Sequence, residues 1–258
     1  MAVKTIDVGG AHRPPLVFLH EALGCIQMWK DFPDRLCRRT GLNGVVFDRQ
    51  GHGRSDPMTS QRPLDYLDHE SFERLPALLD ELGIGQAAFF GHSDGGTIAL
   101  MFAARFPGRV HSCVTEAAHV FVEHETREGI EKAVKAYRTT DLKKKLHTYH
   151  GDKTDAVFRA WADIWLAPEF MAWSIEQQIK GVTSPVLVMQ GENDEYATME
   201  QVWRIAGNVS GTVETRLVPG CGHVPHLQAM DKTVEISSEF LVRRVEGHKV
   251  PAPDRFYP

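Results

Sequence analysis

Ser93 stands in Gly91-His92-Ser93-Asp94-Gly95, with Gly96 following. An apolar run over residues 87–90 precedes it and a helical pattern over 95–105 follows, so the serine falls on the turn between a strand and a helix. A turn this tight leaves no room for side chains at Gly91 and Gly95. It presents the hydroxyl above the sheet, with a helix N-terminus behind it that favours developing negative charge. A hydroxyl is a weak nucleophile until a base takes its proton. His223, in Gly220-Cys221-Gly222-His223, follows a strand pattern over 212–218 and is the first candidate for that base; His226 is its rival. The base needs a carboxylate to fix its tautomer. Asp194, in Gly191-Glu192-Asn193-Asp194, comes directly after a buried run over 186–190 and is the best placed, with Glu192 and Glu195 as alternatives in the same loop. A tetrahedral intermediate on Ser93 would need two N–H donors. The backbone of Asp94 is expected to supply one. The other is assigned to Ala22, in the loop His20-Glu21-Ala22-Leu23-Gly24 that follows the apolar run 16–19.

Four further side chains are candidates for substrate contact: Glu21 beside the expected donor loop, His119 after a strand end, and Trp161 and Trp165, four apart on one helix face. Packing alone would equally account for both tryptophans. The glycine-rich stretch from Asp48 to Ser55 reads as a tight turn braced by Asp48 or Arg49 rather than as a site. His20 reads as a hydrogen-bonding brace of its loop. Cys25 and Cys221 follow site loops and read as buried thiols. His124-Glu125-Thr126-Arg127-Glu128 ends in Glu where a zinc-peptidase motif needs His, and the pairs His147/His150 and His223/His226 lack an evident third ligand. Phosphate-binding glycine motifs are missing from the sequence. No metal and no cofactor is expected.

These residues must be held by a sheet. Strands are expected over 3–8, 16–19, 44–48, 87–90, 110–115, 186–190 and 212–218, and helices over 28–39, 64–82, 95–105, 199–207 and 233–245. Apolar runs alternating with amphipathic ones give an α/β fold with a mostly parallel central sheet flanked by helices. Runs 16–19 and 87–90 are apolar on both faces, as central parallel strands are. Residues 119–182 break the rhythm with helical patterns over 130–137, 142–149, 156–165 and 170–179 and no strand. Successive helices without strands cannot all be crossovers. This stretch is expected to be an inserted helical cap, on a core of 1–118 and 183–258. The three prolines between Lys249 and Pro258 suggest an irregular tail.

Of the 258 residues, 42% are hydrophobic and 24% charged, an ordinary globular composition that can bury a core without staples. A net charge of -5, with only Lys143-Lys144-Lys145 as a basic run, argues against nucleic acid as a partner. Four scattered cysteines suit a reduced, cytoplasmic chain. Neither a leader pattern nor a membrane-spanning apolar run is seen. The expected partner is a small-molecule substrate, and the expected state a monomer or homodimer.

Five pieces in this order, His20–Gly24, Asp48–Ser55, Gly91–Gly96, Gly191–Asp194 and Gly222-His223, make the sequence similar to the α/β-hydrolase superfamily, in its branch with a helical cap. The resemblance implies a serine hydrolase with Ser93, Asp194 and His223 as triad, acting on a small ester or related carbonyl compound. Relatives with the same triad and cap cleave carbon–carbon bonds in aromatic degradation, and a slow-turnover small-molecule receptor is a third possibility on this fold. An aminopeptidase-like activity is a related option if Glu21 or Asp94 binds a substrate ammonium. Two departures stand out. Position 21 is Glu where the family usually has Gly, and Asp94 replaces the usual Met, Gln or small residue.

Overall fold

The computed structural model describes residues 1–10 and 13–246. Its centre is a seven-stranded sheet of β1 (Val3–Ile6), β2 (Leu16–Leu19), β3 (Gly44–Phe47), β4 (Ala87–His92), β5 (Val110–Glu116), β6 (Val186–Gly191) and β7 (Val213–Val218). The spatial order is β1-β3-β2-β4-β5-β6-β7. β1 runs antiparallel to β3 and every other pair is parallel. The α/β fold expected from the sequence is thus observed. The strands lie within two residues of their expected ends. The irregular tail expected from Lys249 onward lies outside the described residues.

Strand side chains alternate between faces. Val17, Leu19, Phe89 and Val188 join one buried cluster, while Leu16, Phe18, Ala88, Phe90 and Leu187 join the other. The second cluster is closed by α1 (Phe32–Thr40) and α10 (Met230–Val245) through Phe32, Leu36, Phe240 and Leu241. On the first side lie α2 (Tyr66–His69), α3 (Leu75–Glu81) and α4 (Asp94–Arg105). Gly95 to Ala103 of α4 are all buried, so this helix is covered all round.

Several expected helices differ. The pattern over 28–39 splits into a 3₁₀ turn, Ile26–Trp29, and α1, because Lys30 takes φ 55° and breaks the run. The pattern over 64–82 is continuous from Tyr66 to Glu81 but widens to a π turn at Glu70–Arg74. Pro76 lies two residues beyond it and has no N–H to give the preceding turn.

Between β5 and β6 run α5 (His124–Thr139), α6 (Leu142–His150) and α7 (Thr154–Trp165). The helix expected over 170–179 is not formed. Short 3₁₀ turns stand at Pro168–Ala172 and Gln178–Gly181, and Ser174 between them bridges to Phe121. The segment is fastened to the core by His150, which accepts from Gly53 N–H at 3.0 Å and donates to the Leu23 carbonyl at 2.8 Å. Lys153 adds a bond to the Gly53 carbonyl at 2.7 Å. The remaining helices are α8 (Met199–Asn208) and α9 (Pro225–Gln228).

Candidate active site

The site lies where the carboxyl ends of β2, β4, β5, β6 and β7 meet, the usual position for ligand binding in a parallel sheet. β4 runs through His92 straight into Ser93, whose backbone takes φ 53°, ψ −118°, a strained region for any residue but glycine. The two flanking glycines are required by contact. A Cβ on Gly91 would collide with the Gly95 carbonyl, and one on Gly95 with the carbonyl of Leu19.

His223 Nε2 stands 3.0 Å from Ser93 Oγ. On its other side Nδ1 lies 2.9 and 3.0 Å from the two Asp194 oxygens. With Nδ1–H donated to the carboxylate, the Nε2 lone pair faces the hydroxyl. Burial alone would raise the Asp194 carboxyl, but the adjoining His223 outweighs it and holds it below its usual value. The rivals are accounted for elsewhere. His226 is turned to Glu116, Glu192 accepts from Gly220 N–H, and Glu195 accepts from His223 N–H at 3.0 Å.

Ala22 and Asp94 both line the cavity in front of Ser93. Among the described residues neither N–H has a protein acceptor. Two free donors of this kind are what an oxyanion would require. The loop after β2 is braced by His20, as expected: Nδ1–H donates to the Glu21 carbonyl at 2.7 Å, and Nε2 accepts from Arg49 N–H at 3.0 Å. Asp48 braces the turn after β3, accepting from Ile26 N–H at 2.6 Å and Arg54 N–H at 2.7 Å.

The cavity measures about 240 Å³. All four candidate substrate contacts line it: Glu21, His119, Trp161 and Trp165. The tryptophans also pack the segment to the core, Trp165 donating to Tyr66 Oη at 2.9 Å. His119 donates Nε2–H to the Tyr196 carbonyl at 3.2 Å. Burial, with His223 nearby, pushes it down to about 4, so it is neutral at pH 7. Asp94 is not an isolated charge. Its Oδ2 accepts from Tyr66 Oη at 2.9 Å and from Arg49 at 3.4 Å, with both ionic side chains almost wholly buried.

Sequence reasoning missed a layer of polar groups beneath the serine. His92 Nε2–H donates to the His223 carbonyl at 2.8 Å, while its Nδ1 lies 3.9 Å from Glu21 Oε2. Burial alone would lower His92, but Glu21 and Glu116 outweigh it and lift it to about 9. Burial would raise Glu21, but His92 outweighs it and holds the carboxyl at about 2. Glu116 takes both its bonds from His226. Ligand-type atoms of His92, Glu116 and His226 lie within 4.8 Å of one another. Both Glu116 oxygens are already engaged, which leaves that group a hydrogen-bonded knot rather than a ready metal cradle. No local motif announces these contacts, since each joins residues from separate strands and loops.

The model of the alpha/beta hydrolase family matches residues 16–236. The chain is 27% identical over 203 residues to the serine hydrolase BPHL of Homo sapiens, covering 76% of this chain and 68% of that protein. It is 25% identical over 228 residues to the 2-hydroxy-6-oxo-6-phenylhexa-2,4-dienoate hydrolase of Burkholderia cepacia, covering 78% and 77%. A solved structure from work on carboxylesterases of the Thaumarchaeon Nitrososphaera gargenis superposes with a TM-score of 0.74 at 20% identity, over 95% of each chain. That last likeness speaks for the fold. The family match spans most of the sequence, from the first buried strand into the last helix, and the chain belongs to the alpha/beta hydrolase family.

Proposed function

We propose that the protein is a serine hydrolase that cleaves a small ester or related carbonyl compound through an acyl-enzyme. The observation that carries this reading is the line Ser93 Oγ, His223 Nε2 at 3.0 Å and Asp194 at 2.9 Å from His223 Nδ1, set in the wall of a cavity. Ser93 attacks the substrate carbonyl as His223 takes its proton. The N–H groups of Ala22 and Asp94 hold the oxyanion. The protonated His223 gives its proton to the departing alcohol. A water deprotonated by His223 then attacks the acyl group, releasing the acid and restoring Ser93. In this reading residues 119–182 serve as a cap over a core of 1–118 and 183–258. The four cysteines, all free thiols, fit a cytoplasmic setting.

Carbon–carbon bond hydrolysis is the second reading, favoured by relatives named for it. The cavity wall argues for the ester reading. A dienoate carries a carboxylate, and no Lys or Arg is among the lining residues; the charged histidine there, His92, is already matched by Glu21 and Glu116. A neutral ester needs no free counter-charge in the wall.

The test is labelling with a fluorophosphonate, the adduct located by mass spectrometry, followed by turnover of neutral esters against anionic vinylogous diketones. We expect a single adduct on Ser93, none with Ser93→Ala, and preference for neutral esters. Undiminished turnover by Ser93→Ala would sink the mechanism, and faster turnover of the anionic diketone would move the assignment to carbon–carbon cleavage.

A further inference from the structure

Glu116, the last residue of β5, touches both halves of the site from beneath. Its carbonyl accepts from Ser93 N–H at 2.8 Å. Its carboxylate accepts from His226, backbone N–H to Oε1 at 2.6 Å and ring Nδ1–H to Oε2 at 2.5 Å. His226 lies three residues beyond His223, at the start of α9, with its ring held 4.6 Å from Trp29 and 5.4 Å from Phe32. His92, the register partner of Glu116 on β4, grips the His223 carbonyl.

We infer that Glu116 is a positioning residue that sets the spacing of Ser93 and His223, holding the serine turn by its carbonyl and the histidine loop by its carboxylate through His226. This rests on the reading of Ser93 and His223 as nucleophile and base. The argument is one of cost. Glu116 is wholly buried, and a buried carboxylate is a poor source of stability compared with an apolar side chain of the same volume. What it supplies is geometry: two directional bonds to one residue fix where the loop sits on the strand end. The reacting atoms need that, since a misplacement of about 1 Å can cost about 100-fold in rate.

The experiment measures Ser93 labelling by a fluorophosphonate over a range of probe concentrations, which separates the maximal rate from the half-saturating concentration. Glu116→Gln keeps the volume and loses the charge-assisted bond. His226→Phe keeps a ring against Trp29 and loses the same bond from the other side. Each variant should label about 10- to 100-fold more slowly at saturation. The half-saturating concentration should stay within about twofold and the near-ultraviolet circular dichroism should stay native, a split that a general loosening of the fold would not give. The double variant should be no slower than the slower single one, because His226→Phe removes only a bond that Glu116→Gln has already lost. If Glu116→Gln does not fold, His226→Phe alone decides. Folded variants labelling at the wild-type rate, or multiplying their losses in the double variant, would overturn the inference and leave the hydrolase reading standing. A folded wild-type protein that takes no label would overturn both.

Discussion

The carboxylate of Asp194 faces Nδ1 of His223 with both oxygens, and this decides which nitrogen carries the proton. Asp194→Asn keeps the shape but lets the amide NH₂ face the ring. The imidazole then holds its proton on Nε2, pointing at Ser93, and that nitrogen cannot take the serine proton. On the proposed mechanism kcat falls by about 10⁴-fold with the fold intact; steady-state kinetics beside circular dichroism checks this, and a loss under tenfold would contradict it. Asp94 poses a different question at the same scale. It stands next to the nucleophile, but its side chain answers the Arg49 guanidinium, 0% exposed, and the Tyr66 hydroxyl. Asp94→Asn strands a buried cation, which typically costs about 3–5 kcal/mol. A chemical-denaturation midpoint equal to wild type would show that Arg49 finds its balance elsewhere. Ser93, Asp194 and His223 were legible in the sequence because each sits in a short local motif. The tie between Arg49 and Asp94 was not, as the two are 45 positions apart and meet only when the turn after β3 folds against α4.

Elements were legible to the degree that their period was unambiguous. Runs 16–19 and 87–90, apolar on both faces, read as central strands, and α7 was visible from its apolar spacing. The pattern over 170–179 misled because Met171, Ile175 and Ile179 recur every fourth residue, a spacing that suits a helix. There the chain instead turns at Ser174 to reach Phe121, a tertiary contact no local period encodes. The segment between β5 and β6 matters most through its cavity wall. Trp161 and Trp165 line the chamber from α7, with Ile130 from α5 and Leu142 and Leu146 from α6. Trp161 is also held edge-on against Phe158 and Tyr196. Trp161→Ala removes a large buried ring, a change that costs about 3–5 kcal/mol in a core that does not collapse. The vacated space opens onto the cavity, so preference should move to esters with longer or bulkier acyl groups. A chain-length series of p-nitrophenyl esters reads this directly, and an unchanged optimum would mean that the acyl group lies along another wall.

At the scale of the whole molecule, the buried ionisable groups around the site make stability depend on pH from both sides. His20 is pushed down to about 3 by burial and Arg49, and His119 down to about 4 by burial and His223. The unfolded chain binds protons at these histidines near their ordinary value of 6.5, so acidification from about 6.5 towards 4 favours unfolding. Glu21, held at about 2, adds a loss as pH falls below its ordinary 4.5. His92 acts in the opposite sense. Its folded value of about 9 lies above its ordinary 6.5, so its contribution is complete below pH 6.5 and disappears as pH rises through 9. Each such proton changes stability by about 1.4 kcal/mol per pH unit between the two values. The melting temperature should therefore peak at about pH 6.5 and decline on either side. Glu21→Gln separates the causes. It removes one of the two carboxylates that keep His92 charged and leaves Glu116, so the alkaline decline between pH 6.5 and 9 should flatten without vanishing, while the histidine part of the acid decline persists. Thermal melts of both proteins across pH 4 to 9 make the comparison. A Glu21→Gln variant with an alkaline limb as steep as wild type would mean that Glu21 does not hold His92 in its charged form, and that the ion pair under the serine turn rests on Glu116 alone.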